Sequence, residues 1–259
     1  MRSAIIITLS ALLVTAAALA KDPPGEWRTI PLIKDGKVSP DWLHVGYGSM
    51  VVDEGALRTE CDERGLGLLV YKKEKLGDCQ IRIVFKAKDA KSNAGVYVRI
   101  DDGILKAADT NHAPAKRDKD GKLTKESLQI FQDASEKELG AWYAVHHGYE
   151  VQICDGADPG HRTGAIYSLA KSEPAPGKPT DWRTMIITLR GETIAVDIND
   201  KRVSEFDAKG KEIPPRKQWH EPKREPKRPT AGYIGLQTHD PGDVVYFKEI
   251  AVRPLKSGK

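Results

Sequence analysis

The chain has 259 residues, of which 39% are hydrophobic and 30% are charged. Its 41 basic and 37 acidic side chains leave a formal net charge of only +4 at pH 7. That balance excludes the strongly basic composition of proteins that bind nucleic acid through phosphate contacts, and the length favours a single domain with a substantial core.

The N-terminal segment Met1–Ala20 has the pattern of a secretory signal peptide. Arg2 precedes an apolar run from Ala4 to Leu19, and the segment ends in the small-residue sequence Ala18-Leu19-Ala20. This run is slightly short for a membrane span, so cleavage is favoured over the alternative of an uncleaved anchor. We therefore expect an exported mature chain of residues 21–259, located in the periplasm or outside the cell.

Short apolar segments separated by turn residues make up most of the remaining chain. Over Cys79–Ala87, apolar and polar residues alternate, as in a strand with one buried face. Strands of this length and spacing are typical of an all-β fold, either a two-sheet sandwich or a jelly roll. The predicted strands are Ser49–Val52, Ala56–Glu60, Leu66–Tyr71, Cys79–Ala87, Asn93–Arg99, Glu150–Asp155, Met185–Arg190, Thr193–Asn199, Gly232–His239 and Asp243–Val252.

The interval Asp101–Tyr149 departs from this pattern. It opens with a charged loop over Lys116–Lys122, and a helix is predicted from about Lys125 to Leu139. We interpret the interval as a partly helical insertion between two core strands, set beside the candidate site. Long insertions in compact domains often act as lids.

The segment Lys209–Arg228 is locally basic and rich in proline. Such a composition predicts a solvated connecting loop. Trp219 and His220 are unusual in a plain linker, and they are candidates to fold over the site.

Three of the predicted strands place polar, chemically capable residues on one face and branched apolar residues on the other. In Glu150–Asp155, for example, Val151 and Ile153 oppose Glu150 and Gln152. Because successive side chains of a strand point to opposite faces, each strand can pack on a core while its polar face lines a ligand site. The polar residues of the three strands are Asn93, Tyr97, Arg99, Glu150, Gln152, Gln237 and His239.

Four of the candidates carry groups suited to catalysis. Glu150 and Asp155 could act as acid and base, or as acid and nucleophile, in glycosidic bond cleavage, although Asp155 also begins a loop and can form a turn. The planar guanidinium of Arg99 suits sugar hydroxyls, a carbonyl oxygen or a carboxylate, with an ion pair to Glu150 as the alternative. His239 can carry a proton, bind a metal, or bond to the backbone of the turn that follows.

Residues outside these strands are candidates to extend the site. His146 and His147 lie just before Glu150, but their spacing matches no diagnostic ligand pattern, so no cofactor is assigned and a divalent metal stays open as an alternative. Tyr167 and Trp182 are candidates to stack on a sugar ring or to be ordinary core residues.

The chain contains three cysteines, so in an exported protein at least one thiol stays unpaired. Cys61 and Cys79 are the expected pair, since both lie at ends of neighbouring predicted strands. Cys154 is interpreted as a small buried hydrophobic residue and not as a nucleophile.

Several motifs occur in an order and spacing that resemble the 3-keto-disaccharide hydrolase family, a set of exported bacterial proteins. The resemblance covers nearly all of the mature chain. The chain departs from the family pattern in two places. The insertion Asp101–Tyr149 is longer than the usual connection, and Trp182 is followed by Arg183 instead of the usual Asn. The motifs are NAGVYVR (93–99), GYEVQICD (148–155), TGAIY (163–167), KPTDWR (178–183), IND (198–200), GYIGLQTH (232–239) and VYFKEI (245–250).

This resemblance implies a concanavalin A-like jelly roll over residues 21–259, with the insertion at about 101–149, and a carbohydrate substrate already oxidised at sugar C3. A C3 ketone acidifies the C2 proton, and loss of that proton permits elimination of the C1 glycosidic oxygen. Addition of water to the resulting enone completes a net hydrolysis. The reaction needs a base near C2, a donor at the C3 oxygen and an acid at the leaving oxygen.

The resemblance also suggests roles for the candidates. Glu150 or His239 acts as the base while the other helps as the acid, and Arg99, or a bound metal, stabilises the enolate. Asp155 remains the candidate for a second catalytic carboxylate beside Glu150. The residues expected to bind the sugar are Asn93, Tyr97, Gln152, Tyr167, Trp182 and Gln237.

Two other classes of function compete with this interpretation. One is a non-catalytic carbohydrate-binding module, since a jelly roll by itself does not determine function. The other is a conventional glycosidase for unoxidised polysaccharide, which needs two well-placed carboxylates, and only Glu150 is convincing in that role. The sequence carries no signal for the oligomeric state.

Overall fold

The computed structural model describes residues 25–107, 112–210 and 213–255. The segment Met1–Ala20, interpreted above as a signal peptide, lies outside the described residues. Within them, no helix is long and apolar enough to cross a membrane. The strands are β1 (Arg28–Ile30), β2 (Ile33–Lys34), β3 (Lys37–Val38), β4 (Trp42–Gly46), β5 (Ser49–Asp53), β6 (Ala56–Glu60), β7 (Gly67–Leu76), β8 (Cys79–Ala87), β9 (Ala94–Ile100), β10 (Tyr149–Ile153), β11 (Arg183–Arg190), β12 (Thr193–Ile198), β13 (Lys201–Asp207), β14 (Gly232–Thr238) and β15 (Val245–Pro254); the helices are α1 (Lys125–Glu136), α2 (Trp142–His147) and a 3-10 turn over Asp102–Lys106.

Two antiparallel sheets form a sandwich. The larger sheet has eight strands in the order β13-β12-β11-β8-β15-β6-β5, with β1 pairing with β15. The smaller sheet has five strands in the order β10-β9-β14-β7-β4. Each of the ten predicted strands overlaps an observed one, and the predicted all-β jelly-roll sandwich is confirmed.

The core lies between the two sheets and follows the alternation of each strand. In β8, Ile81, Ile83 and Phe85 are fully buried, while the residues between them are partly exposed. They pack in one cluster with Val151 and Ile153 of β10 and with apolar residues of β9 and β14. The inner face of the five-stranded sheet is therefore apolar, which leaves its outer face for other contacts.

The insertion between β9 and β10 covers part of that outer face. The predicted helix is confirmed as α1, which begins after Thr124, whose hydroxyl accepts a hydrogen bond from the Ser127 amide at 3.3 Å. Sequence patterns missed α2, a helix of one and a half turns. Its Ala144 and Val145 pack on Tyr97 and Val70 of the sheet in a second apolar cluster.

The segment 213–228 is a loop with many exposed residues, as predicted, but it is also attached to the helical insertion. Arg216 and Lys223 form ion pairs with Glu136 and Glu138, at 2.7 and 2.8 Å. The backbone amide of Lys223 also donates to Nδ1 of the buried His146 at 3.2 Å. We call α1, α2 and segment 213–228 together the cover.

The expected pairing of Cys61 with Cys79 is wrong. Cys79 begins β8, whereas Cys61 donates to the carbonyl of Asp243, next to the segment that pairs with the far end of β8. A strand of this length separates the two sulfur atoms by roughly 25 Å, so all three cysteines are free thiols. Cys154 is half-buried, with its sulfur 3.7 Å from the carbonyl of Lys91.

Candidate functional site

A cavity of about 290 Å³ lies between the outer face of the five-stranded sheet and the cover. Seven of the ten residues named from the sequence as catalytic or sugar-binding meet in it. They are Asn93, Tyr97, Glu150, Gln152, Tyr167, Gln237 and His239.

Strand alternation and register bring the polar floor of this cavity together. Glu150 lies opposite Tyr97 in the β9–β10 ladder, and Tyr97 lies opposite Gly235 in the β9–β14 ladder. The Tyr97 hydroxyl donates to Glu150 Oε2 at 2.8 Å and accepts from Gln237 Nε2 at 3.2 Å. Three strands thus hold one hydrogen-bonded line of side chains.

Gly95 makes room for Glu150, and sequence reasoning missed this role. A Cβ atom at position 95 would lie 2.4 Å from Glu150 Oε1, closer than two non-bonded atoms can approach. The available signal was a glycine in the interior of a predicted strand, which often marks a close approach of another group.

The environment of Glu150 brings its titration close to neutral pH. Burial raises the pKa of this carboxyl group to about 7, although the Tyr97 hydrogen bond and the charge of His239 act in the opposite direction. A carboxyl group with such a pKa exchanges protons readily at neutral pH, as general acid–base catalysis requires.

His239 lies at the end of β14 with a carboxylate behind its ring. Nδ1 lies 3.3 Å from Asp243 Oδ2, and Asp243 is itself held by the backbone amides of Asn93 and Asp240, both at 3.0 Å. Burial lowers the pKa of His239, but the contact with Asp243 and the charge of Asp240 outweigh it and raise the pKa above the ordinary value. Sequence reasoning missed Asp243, which the turn motif His-Asp-Pro-Gly-Asp could have indicated.

Tyr167 reaches the cavity because its segment pairs with the free edge of β10. The Tyr167 amide donates to the Glu150 carbonyl at 3.0 Å, and the Tyr167 hydroxyl lies 2.8 Å from His220 Nδ1. His220 and Trp219 of the cover line the same cavity, in agreement with their candidate role over the site.

Arg99 does not share the face of Tyr97, so its expected placement is wrong. Its backbone is left-handed, with a φ of +55°, and this reverses the alternation at the end of β9. The buried side chain lines a separate small cavity with Tyr149 and Arg228, and its Nη2 lies 3.8 Å from Asp78. The ion pair with Glu150 is therefore not formed.

Asp155 and Trp182 also lie outside the cavity. Both oxygens of Asp155 accept hydrogen bonds from the guanidinium of the buried Arg183, at 2.8 and 3.0 Å. Trp182 is 39% exposed beside Lys86 and Lys248 of the larger sheet. Neither stacking by Trp182 nor a catalytic carboxylate at position 155 fits this placement.

His146 and His147 belong to the framework of the cover. Nε2 of His146 lies 3.0 Å from the Ser135 carbonyl, and the two ring nitrogens of His147 contact Asp101 and Glu138 at 3.0 and 2.7 Å. In the described part of the chain, no group of three or more His, Cys, Asp or Glu side chains is arranged to hold a metal.

The cavity has a second, apolar side opposite its polar floor. Trp142 of α2 and Trp219 of segment 213–228 lie with their ring centroids 5.4 Å apart. The site therefore combines acid–base groups with a hydrophobic surface. We call this second side the apolar wall, formed by Leu66, Leu123, Phe131, Trp142, Val145 and Trp219.

Solved structures show the same fold. A candidate glycosyl hydrolase from Parabacteroides distasonis ATCC 8503 matches with a TM-score of 0.54 at 22% identity, covering 89% of this chain and 100% of that one. A second candidate glycosyl hydrolase from the same strain matches at 0.52 and 14% identity, covering 85% and 91%. A Bacillus subtilis protein of unknown function with a galectin-like fold matches at 0.52 and 13%, covering 89% and 96%.

Comparison with family models identifies the chain more closely than the solved structures do. Among curated proteins, none matches this chain. Residues 27–253, nearly all that the structure describes, match the model of the 3-keto-alpha-glucoside-1,2-lyase-like domain. Family and fold together agree with a carbohydrate-processing protein whose cavity carries a buried carboxyl group and a histidine. The chain belongs to the family of 3-keto-alpha-glucoside-1,2-lyase-like domains.

Proposed function

We propose that this protein cleaves the glycosidic bond of 3-keto-glycosides by elimination across C1 and C2, followed by hydration. The observation that carries the proposal is the pairing in one cavity of a carboxyl group with a pKa of about 7 and a carboxylate-backed histidine with a raised pKa. Such a pair can accept a proton at one atom of a substrate and deliver one at another.

Glu150 acts as the base in this scheme. Its ionised carboxylate takes the C2 proton, and the electrons of the C–H bond move to the C3 oxygen to form an enolate. The ketone then re-forms as the C1–C2 double bond is made and the C1–O bond breaks. Donors for the C3 oxygen are the side-chain amides of Asn93 and Gln152, since Arg99 lines a different cavity.

His239 acts as the acid. Its pKa is raised above the ordinary value, which favours the protonated ring, and this imidazolium gives a proton to the leaving oxygen as the C1–O bond breaks. Water then adds at C1 of the enone and a proton returns to C2. The sum of these steps is hydrolysis, and no oxidant or reductant is consumed.

Two buried oxygens favour a ligand rich in hydroxyl groups. Asn93 Oδ1 and Gln237 Oε1 accept no hydrogen bond from any residue that the structure describes. Buried acceptors without partners are costly, and sugar hydroxyls entering the cavity would satisfy them.

Turnover of a 3-keto-glucoside carrying deuterium at C2 tests the proposal. Elimination through C2 predicts a primary isotope effect on kcat/KM, because the C2–H bond breaks, and no cleavage of the unoxidised parent glycoside. Cleavage of the labelled and unlabelled substrates at equal rates would indicate direct hydrolysis, and binding without cleavage would indicate a carbohydrate-binding module. Either result would overturn the elimination.

We also propose that the reaction takes place after export, as the N-terminal pattern of Met1–Ala20 indicates. Fractionation of cells expressing the full chain tests this. Recovery of the protein from the cytoplasm with residues 1–20 still attached would contradict it.

A further inference from the structure

The two sides of the cavity differ sharply in chemistry. The floor offers carboxyl, amide, phenol and imidazole groups, whereas the apolar wall offers only hydrocarbon and indole surface. Five of the six wall residues come from the insertion and from segment 213–228, the parts of the chain that lie outside the two sheets. The cover thus determines what the wall can bind.

The proposed reaction fixes which part of a substrate meets the floor. C2, C3 and the glycosidic oxygen must lie against Glu150, His239 and the amides, so the keto sugar occupies the polar side. The group attached to the glycosidic oxygen then extends towards the wall.

A second sugar fits this wall poorly. Trp142 or Trp219 could stack on one face of a pyranose ring, but the hydroxyls at its edges would meet Leu66, Leu123, Phe131 and Val145. Burying a hydroxyl without a partner is unfavourable. The neighbouring His220 ring uses Nδ1 for the Tyr167 hydroxyl.

A planar apolar group fits the wall well. Both tryptophans line the cavity and neither is fully buried. The two indoles are tilted by 49°, and an aromatic ring can pack on one face while meeting the edge of the other. A volume of 290 Å³ lies at the lower end of the range for ligand cavities, about 300–1,000 Å³, which favours one sugar with one ring-sized group.

From these observations we infer that the apolar wall is a leaving-group subsite that selects 3-keto-glycosides of aryl alcohols over 3-keto-disaccharides. This inference rests on the proposed function, because it assigns the wall to the group that the elimination releases.

The test compares kcat/KM for phenyl 3-keto-glucoside, methyl 3-keto-glucoside and a 3-keto-disaccharide, in both anomeric forms of the first two. The variants are Trp219→Ala and Trp142→Ala. Each substrate is compared with itself across variants, so differences in intrinsic leaving-group reactivity cancel. Trp219→Phe keeps a ring at the wall, and Trp182→Ala removes an exposed tryptophan from the opposite sheet as a matched control.

We expect Trp219→Ala and Trp142→Ala to lower kcat/KM for the phenyl substrate by at least about 10-fold, the loss typical of one removed aromatic contact. For the methyl substrate, kcat/KM should change by less than about 3-fold. Trp219→Phe should retain most of the phenyl activity, and Trp182→Ala all of it. Unfolding temperatures confirm that each variant is folded.

The outcomes separate the two proposals. Two results would overturn the subsite and leave the elimination intact. In the first, the wild type cleaves the methyl substrate but prefers the disaccharide. In the second, kcat/KM for the phenyl and methyl substrates falls equally in the tryptophan variants. Failure of the wild type to cleave any of the three substrates would overturn the elimination itself, and the subsite with it.

Discussion

At the scale of single residues, the burial of Glu150 gives its carboxyl group a pKa suited to catalysis but makes the folded protein less stable at higher pH. The group is 8% exposed, and burial raises its pKa to about 7 from an ordinary value of 4.5. In the unfolded chain the carboxyl group loses its proton near pH 4.5, whereas in the folded protein it keeps the proton until about pH 7. The free energy of unfolding therefore falls as the pH rises through this interval.

Glu150→Gln should greatly lower turnover and stabilise the fold at pH 8. The base is removed, so we expect kcat/KM to fall by roughly 10²–10⁴-fold. The same change removes the cost of ionising a buried carboxyl, up to about 3 kcal/mol at about 1.4 kcal/mol per pKa unit. Thermal unfolding should show a larger gain at pH 8 than at pH 5, and an equal shift at both values would contradict this explanation.

Asp243 is a positioning residue for His239. Asp243→Asn removes the charge 3.3 Å from Nδ1 and should lower the pKa of His239. Because His239 acts as the protonated acid, the alkaline limb of the kcat/KM profile should move to lower pH, with a loss of at least about 10-fold at pH 8. Asp240→Asn is the comparison variant, and its shift should be in the same direction but smaller, because that carboxylate is 45% exposed and lies 3.7 Å from Nδ1. An unshifted profile in Asp243→Asn would remove its proposed role.

At the scale of elements, the cover is held by one buried histidine that joins its three parts. His146 of α2 lies against the Ser135 carbonyl of α1 and accepts from the Lys223 amide of segment 213–228. Burial and the nearby charge of Lys223 lower the pKa of His146 to about 4. The contribution of neutral His146 to stability is present above pH 6.5 and is lost as the pH falls through about 4.

His146→Ala should loosen the cover while the sandwich stays folded. The Lys223 amide and the Ser135 carbonyl lose a buried partner, at a cost of roughly 1–3 kcal/mol. Hydrogen exchange should accelerate in α1 and in segment 213–228, and the exchange of β8 serves as the internal control. Equal acceleration in β8 would show that His146 stabilises the whole fold instead of the cover.

At the scale of the whole molecule, a buried ion pair ties the two sheets together. Asp155 follows β10 of the smaller sheet, and Arg183 begins β11 of the larger one. The guanidinium is fully buried and also lies 4.9 Å from the ring of Phe85. Arg183 thus gives Asp155 a structural partner.

Asp155→Asn should therefore destabilise the protein and spare its chemistry. A buried Arg183 without its counter-charge costs roughly 3–5 kcal/mol. We expect a clear fall in the urea midpoint, with kcat/KM kept within about 3-fold at a temperature where the variant is folded. Unchanged stability with a large loss of turnover would restore a catalytic role to Asp155.

The sequence by itself determined the strands and the polar face. Alternation is a local property of the chain, so the positions of Tyr97, Glu150, Gln152 and Gln237 on one side of their strands could be read from their neighbours. The motifs between residues 93 and 250 were sufficient to indicate the family.

Only the tertiary structure decided which of these residues come together in the cavity and which do not. Arg99 leaves the polar face because its backbone has a positive φ. Gly232 of β14 packs closely at this point, since a Cβ atom on residue 232 would lie 2.5 Å from the Arg99 backbone. Asp155 finds Arg183 across the two sheets, and Asp243 comes behind His239 through a turn. The cover takes its place through contacts such as Lys223 with His146, more than 70 residues apart in the chain. Contacts between distant segments depend on the packing of the whole fold, and local periodicity carries no information about them.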